Sequence, residues 1–464
     1  MVSQPSRDPA ARAGSGRSGG PDWLFLAEEL LRLAEHDGAT AAEALVMAED
    51  SALTRFANSE IHQNVAERNG RLNLRYVVGR RVGVASSDRL DDAGLRALVE
   101  RAGRVARLAE ERDEAVALGE PGPLPEAAGA FSEATADASP ELRAGAVRAV
   151  IAAADTAGVV AYGSFATTTE TVAVASSPGI RAIEARTHAR LVTVQMAPDG
   201  GSGYAEAAAA DVTAIDGAAV GREAADRASR TRNPVSIEPG DYPVVLEPYA
   251  VVDLLGTLGF LGFSALAVEE GRSFAEPGRR IGSDLVTIWD DGLDPAGLPM
   301  AFDYEGVGKR RVSLVERGVC RDMVYDAATA ARAGRRSTGH GLPAPNPWGP
   351  FPLNLFMAPG EASRDELLGG LERGLLVTRF HYTNPVHPKL AIVTGMTRDG
   401  TFLVERGRIV APVRNLRFTQ SYLAALAGVE AVGRERRTLL GDLGAAVVPA
   451  IRVAAFTFTG ATEH

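Results

Sequence analysis

The residues of this chain best suited to chemistry are few and widely spaced. His381 and His387 flank a polar, turn-rich stretch, and His340 lies in Ser337-Thr338-Gly339-His340-Gly341, so three imidazoles could be metal ligands. An extended chain would hold His381 and His387 ~20 Å apart at about 3.3 Å per residue, far too distant for one ion. Only a tight reversal at Asn384 and Pro385 could bring them together, and ordinary loop histidines are the expectation. Asp290, Asp291, Asp303 and Glu305 are oxygen donors of the kind a hard cation takes, but they read as turn residues of a solvated loop. Cys320 follows Arg317-Gly318 in an expected strand, and without an adjacent base it reads as an inert, half-buried thiol. The chain contains no HExxH pair, nucleophile elbow or Walker loop, and Gly200-Gly201-Ser202-Gly203 lacks the Lys and helix start of a phosphate cradle.

The elements that must position these groups fall into two parts. Trp23–His36 has apolar residues at helical spacing behind a capping Asp22, and Leu90–Leu108 repeats that spacing. Between them, strands are expected at Ala44–Ala48, Ala52–Val65, Arg71–Val78 and Val82–Ser86. The Pro- and Gly-rich stretch Gly119–Pro140 reads as a surface crossover within the first domain. Beyond it the order recurs: a helix at Glu141–Ala154, strands over Val159–Gln195 broken at Ser177-Pro178-Gly179, and a helix at Val212–Ser229. Arg232–Gly240 is the expected boundary, and the part after it is rich in short strands, including a hairpin over Thr401–Val413. The expected fold class is α+β: residues 1–21 a disordered tail, 22–233 a domain of mixed helices and antiparallel sheet, and 234–464 a β-rich domain.

Composition narrows the function classes. The 464 residues carry a net charge of −10, which opposes binding to nucleic acid, and no basic stripe offsets it. A single cysteine excludes an intrachain disulfide and suits the cytoplasm. The apolar run Tyr249–Val268 approaches the ~20 residues of a membrane span. Asp253 inside it, Gly256, Gly259 and Gly262 along it and Glu269-Glu270 at its end favour a buried core helix whose glycines let another backbone approach.

The order of short blocks is more informative than any one block. Leu53-Thr54-Arg55-Phe56-Ala57-Asn58-Ser59-Glu60-Ile61-His62-Gln63 followed by Arg81-Val82-Gly83-Val84-Ala85 resembles the N-terminal signature of the TldD/TldE (PmbA) metallopeptidase family. Thr287-Ile288-Trp289-Asp290-Asp291-Gly292, Phe302-Asp303-Tyr304-Glu305-Gly306 and Ser337-Thr338-Gly339-His340 are similar to its central blocks. Asn354–Gly360, Gly374-Leu375-Leu376-Val377 and Thr394-Gly395-Met396-Thr397-Arg398-Asp399-Gly400 close the series, and the likeness runs from about Asp22 to Gly460.

The resemblance implies a cytoplasmic pair in which a TldD-type subunit holds zinc through a helical HExxxH motif and a C-terminal Cys, while a TldE-type subunit lacks those ligands. The implied activity is hydrolysis of unfolded or extended peptides, including precursor-peptide processing. Here the matching helix, Leu254–Glu270, contains no His, and Leu443–Phe458 contains no Cys. The chain therefore sides with TldE: no catalytic or metal-ligating residue of its own, no cofactor, zinc in a TldD-like partner, and a heterodimer or larger complex acting on peptide. Two alternatives follow from the same resemblance, a complex acting on an amide-containing natural-product intermediate and a stand-alone regulator of the gyrase-modulator type. Self-sufficient metal hydrolysis through His340, His381 and His387 is disfavoured by their spacing. His340, His381, Tyr382 and Arg398, polar or aromatic residues in expected loops, are the candidates for a substrate or partner groove.

Overall fold

The computed structural model describes residues 22–441 and 444–461, and the tail expected over residues 1–21 lies outside them. The first part is built from α1 (Trp23–His36), β1 (Ala41–Ala57), β2 (Glu60–Val78), β3 (Arg81–Ser87), α2 (Asp92–Leu108), α3 (Glu133–Ala136), α4 (Pro140–Ala157), β4 (Val160–Ser176), β5 (Arg181–Met196), β6 (Ser202–Ala209) and α5 (Gly217–Arg230). The second contains β7 (Gly240–Leu246), α6 (Pro248–Leu261), α7 (Ala265–Glu269), β8 (Ile288–Asp290), β9 (Val312–Glu316), β10 (Val319–Cys320), α8 (Ala327–Arg332), β11 (Asn354–Met357) and α9 (Arg364–Gly369). It ends with β12 (Arg373–His387), β13 (Ile392–Glu405), β14 (Arg408–Pro412), β15 (Leu416–Ser421), α10 (Tyr422–Ala427), β16 (Val429–Gly441) and β17 (Gly444–Ala461). The class is α+β.

The first part is one antiparallel sheet in the order β3-β2-β1-β4-β5-β6. Alternation along the strands sorts its two faces. From β1, Ala42, Ala44 and Val46 meet α1 and α2, whereas Leu45 and Met47 point the other way, against Ala301 and Phe302 of the second part. α4 and α5 cover β4–β6 in the same manner, so the helix–strands–helix order expected twice in the sequence is realised as two halves of one sheet. At Gly203 a Cβ would lie 2.1 Å from the Ala224 carbonyl, and this absence of a side chain lets α5 sit directly on β6.

The second sheet runs β10-β9-β8-β11-β17-β15-β13-β12-β7, with β14 beside β13 and β16 beside β17. Because β17 also pairs with β7, the strands β7, β12, β13, β15 and β17 form a closed ring. The ring is filled by Val244, Leu375, Val377, Phe380, Phe418 and Phe456 and packed against α6. Among the described residues no helix is long and apolar enough to cross a membrane.

Several expectations are corrected. The strands expected at Ala44–Ala48, Ala52–Val65 and Arg71–Val78 are two long strands joined at Asn58-Ser59, whose φ values of 52° and 59° make the two-residue turn that matches strand twist. The stretch Gly119–Pro140 is not confined to the first part, since Gly119 lies against Glu305 and Val307, and Pro125 against Gly308. The apolar run Tyr249–Val268 divides at Gly262 into α6 and α7. Its glycines admit side chains instead of a second helix backbone: Pro352 and Leu355 at Gly259, and the Phe274 ring at Gly262.

Candidate functional site

α6 places one stripe on an open cleft. Tyr249, Val252, Asp253, Gly256, Thr257 and Phe260 recur at helical spacing and line a cavity of about 410 Å³, while Ala250, Val251, Leu254, Leu255, Leu258 and Leu261 on the other side are buried in the core. Pro248 at the first turn sets the helix start, where a missing N–H costs nothing. Arg190, Tyr204 and Glu206 from β5 and β6 form the facing wall, and Arg379, Phe380, Thr383 and Pro385 from β12 form a third.

The polar groups of this cleft are largely held by one another. The Asp253 carboxylate accepts from the Thr383 hydroxyl at 2.7 Å and from the Tyr422 hydroxyl at 2.9 Å. Burial and the adjacent Asp253 charge push the Tyr422 hydroxyl well above its ordinary range, so it remains a donor. Glu206 accepts from Arg190 at 2.8 Å, from the Tyr204 hydroxyl at 2.5 Å and from the Leu440 N–H at 3.0 Å. Arg379 donates to Asp399 at 2.7 Å and stacks over the Tyr204 ring at 4.4 Å. Asp399 has a left-handed φ of 54°, a conformation costly for a residue with a Cβ, and the ion pair with Arg379 helps to hold it.

The cleft does not fit zinc. Its α6 stripe offers one candidate ligand, Asp253, whose two oxygens are bound by hydroxyls, and a catalytic zinc takes about three protein ligands. Among the described residues no three His, Cys, Asp or Glu side chains converge in a metal-ligating group. The arrangement contains hydrogen-bonding groups and aromatic faces.

The expected site residues are placed as follows. His381, Tyr382 and Arg398 share the β12–β13 hairpin, where His381 pairs with Met396 and Arg398 with Arg379, and Tyr382 is 72% exposed at a bulge. The strand continues through Asn384 and Pro385 to His387, which pairs with Ile392, so there is no reversal to join the two histidines. His340 is elsewhere and sealed, with Nε2 2.7 Å from Asp290 and Nδ1 2.9 Å from Thr338 Oγ1. Burial and the nearby Lys309 ammonium disfavour its charged form, and Nδ1 lies equally close, at 2.9 Å, to the Thr338 carbonyl.

The solvated loop expected for Asp290, Asp303 and Glu305 is overturned, since all three are at most 2% exposed. Asp290 accepts from the Asn354 N–H at 2.7 Å and lies 3.8 Å from Lys309. Asp303 accepts from the N–H groups of Glu305, Val307 and Gly341. Glu305 is 3.2 Å from Arg75, which also lies 3.5 Å from Glu43 on β1, so this cluster fastens the two sheets together. Cys320 is buried, which pushes its thiol up to about 11 and leaves it inert. Sequence reasoning missed the partners Tyr204, Glu206, Thr383 and Tyr422. The available signal was Asp253 itself, a charge inside an apolar run that must find donors when buried.

Comparison with known proteins follows the same division. Residues 239–460 match the profile described as the PmbA/TldA metallopeptidase C-terminal domain, and residues 42–106 match PmbA/TldA metallopeptidase domain 1. A zinc metalloprotease TldD homolog of Saccharolobus solfataricus is 26% identical over 211 residues, 42% of this chain and 44% of that protein. A metalloprotease of Methanothermobacter thermautotrophicus is 27% identical over 235 residues, 48% of this chain and 50% of that protein. These alignments thus span half or less of the relatives' length. The crystal structure of TldE from Thermococcus kodakarensis superposes with a TM-score of 0.86 over 94% of this chain and 100% of that one, at 20% identity, a likeness of fold.

Proposed function

The chain belongs to the PmbA/TldD metallopeptidase family, and from that premise we propose that it is the TldE-type, non-catalytic subunit of a heteromeric zinc peptidase acting on unfolded or extended peptides in the cytoplasm. The observation that carries this reading is the α6 stripe, where Asp253 is the one candidate ligand and is bound by Thr383 and Tyr422. Hydrolysis then takes place on a zinc-bearing TldD-like partner. This subunit closes the chamber and orients the chain that enters it. His381, Tyr382 and Arg398 on the hairpin whose Thr383 and Pro385 line the cleft are assigned to contact the incoming peptide.

The test is zinc content and cleavage of an unfolded peptide, measured on the chain alone and on the chain co-expressed with the TldD-like protein of the same genome. Zinc and cleavage in the co-expressed complex alone are expected. Stoichiometric zinc with cleavage by the lone chain would overturn the reading.

A further inference from the structure

On the outer face of the strand ring, beside the N-terminal end of α6, a cavity of about 700 Å³ lies between α5 of the first part and α9 and β16 of the second. Six arginines and four acids line it, in a chain where acids outnumber bases 59 to 49. No lysine is among them.

The local pairing leaves positive charge over. Glu247 is shared by Arg227 at 2.7 Å and Arg364 at 3.2 Å. Glu223 is shared by Arg227 at 2.6 Å and Arg437 at 2.7 Å. Three guanidiniums thus rest on two carboxylates. Arg230 is matched to Asp226 at 3.2 Å and Arg434 to Glu366 at 3.4 Å, while Glu435, the fourth lining acid, is exposed. Arg436, half-buried in the same wall, has no ion-pair partner among the described residues. A lysine can shed its proton, but a guanidinium cannot, so the unmatched positive charge stays fixed on this partly exposed wall and is open to an anion from outside the chain.

We propose that this cavity is a binding site for a compact dianionic oxyacid, a phosphate or a dicarboxylate, held by Arg436 and Arg364 with Arg437 behind them. Planar guanidinium forks match the paired oxygens of such groups in a way that chloride cannot exploit. Since the cavity walls come from both parts of the molecule, the ligand fastens them together, and binding raises the unfolding temperature. This inference is independent of the peptidase reading, because it concerns the lone chain and needs no partner.

The experiment is thermal unfolding and calorimetric titration of the full chain with inorganic phosphate, with succinate, and with sodium chloride at matched ionic strength. A saturable rise in Tm with phosphate, succinate or both, absent with chloride, is expected, and the two arms identify the source of the anion. The double variant Arg364→Met, Arg436→Met should weaken binding by at least about tenfold, the loss of one good charge-assisted contact. Arg436→Lys, which keeps the charge but not the fork, should fall between. Both positions are at least partly exposed, and far-UV circular dichroism verifies folding of each variant. No saturable binding of either anion, a chloride effect of equal size, or undiminished binding in the folded double variant would each overturn the site.

Discussion

The two clusters that join the halves of this molecule balance their charges in opposite ways. Around Asp303, four acids (Glu43, Asp290, Asp303 and Glu305) face two cations, Arg75 and Lys309, and all are nearly or wholly sealed from solvent. Around Glu223 and Glu247, three guanidiniums face two carboxylates beside an open cavity. A surplus of buried acid is relieved internally, by backbone N–H donors and by retaining a proton. A surplus of guanidinium has no such outlet. The first cluster is therefore a closed clasp, and the second is a clasp whose cationic wall opens to solvent.

The comparison is broken most severely at Lys309, whose side chain is fully buried against Asp290. Lys309→Met leaves that carboxylate buried without its cation and should cost about 3–5 kcal/mol in urea unfolding, the range for halving a buried pair. Arg227→Met removes the guanidinium shared by Glu223 and Glu247, but Arg364 and Arg437 remain on those acids. The expected loss is therefore smaller, about 2 kcal/mol by the same measurement.

The effect of pH is the most diagnostic. Burial raises the Glu43 carboxyl to about 7 against the opposing Arg75 charge, and its Oε2 has no hydrogen-bond partner. The folded state thus holds a proton that the unfolded state releases, so stability is greatest below about pH 4.5 for this group and declines as pH rises towards 7, by at most ~1.4 kcal/mol per pH unit. Glu43→Gln should flatten that decline in a series of unfolding curves between pH 5 and 8. An unchanged slope would place the retained proton elsewhere in the cluster.

What was legible in the sequence followed from local periodicity. α1 and α2 were visible because their apolar residues repeat at helical spacing, α1 behind Asp22, which does cap it, and the structure adds Asp91 as the cap of α2. The break at Ser177–Gly179 separates β4 from β5 as expected. The β1–β2 turn was not visible, because Asn58-Ser59 lacks the glycine that usually marks such a turn. The candidate cleft was illegible for a different reason. Asp253 meets Thr383 and Tyr422 across 130 and 169 positions of sequence, and no local pattern encodes such a meeting. Asp290, Asp303 and Glu305 look like turn residues locally, and the partners that meet them in the interior, Asn354, Gly341 and Arg75, come from distant positions.

The closed strand ring constrains the order in which the chain can fold. Leu246 in β7 pairs with Ile451 in β17, roughly two hundred positions later, so the earlier strand must wait for nearly the whole second part to be synthesised before its neighbour exists. Contacts of such long range form slowly, and during that interval β7 and β12 are held together along one edge while the other is unsatisfied. A nascent chain arrested before residue 444 presents an open sheet edge, the feature that holdase chaperones and aggregation both recognise.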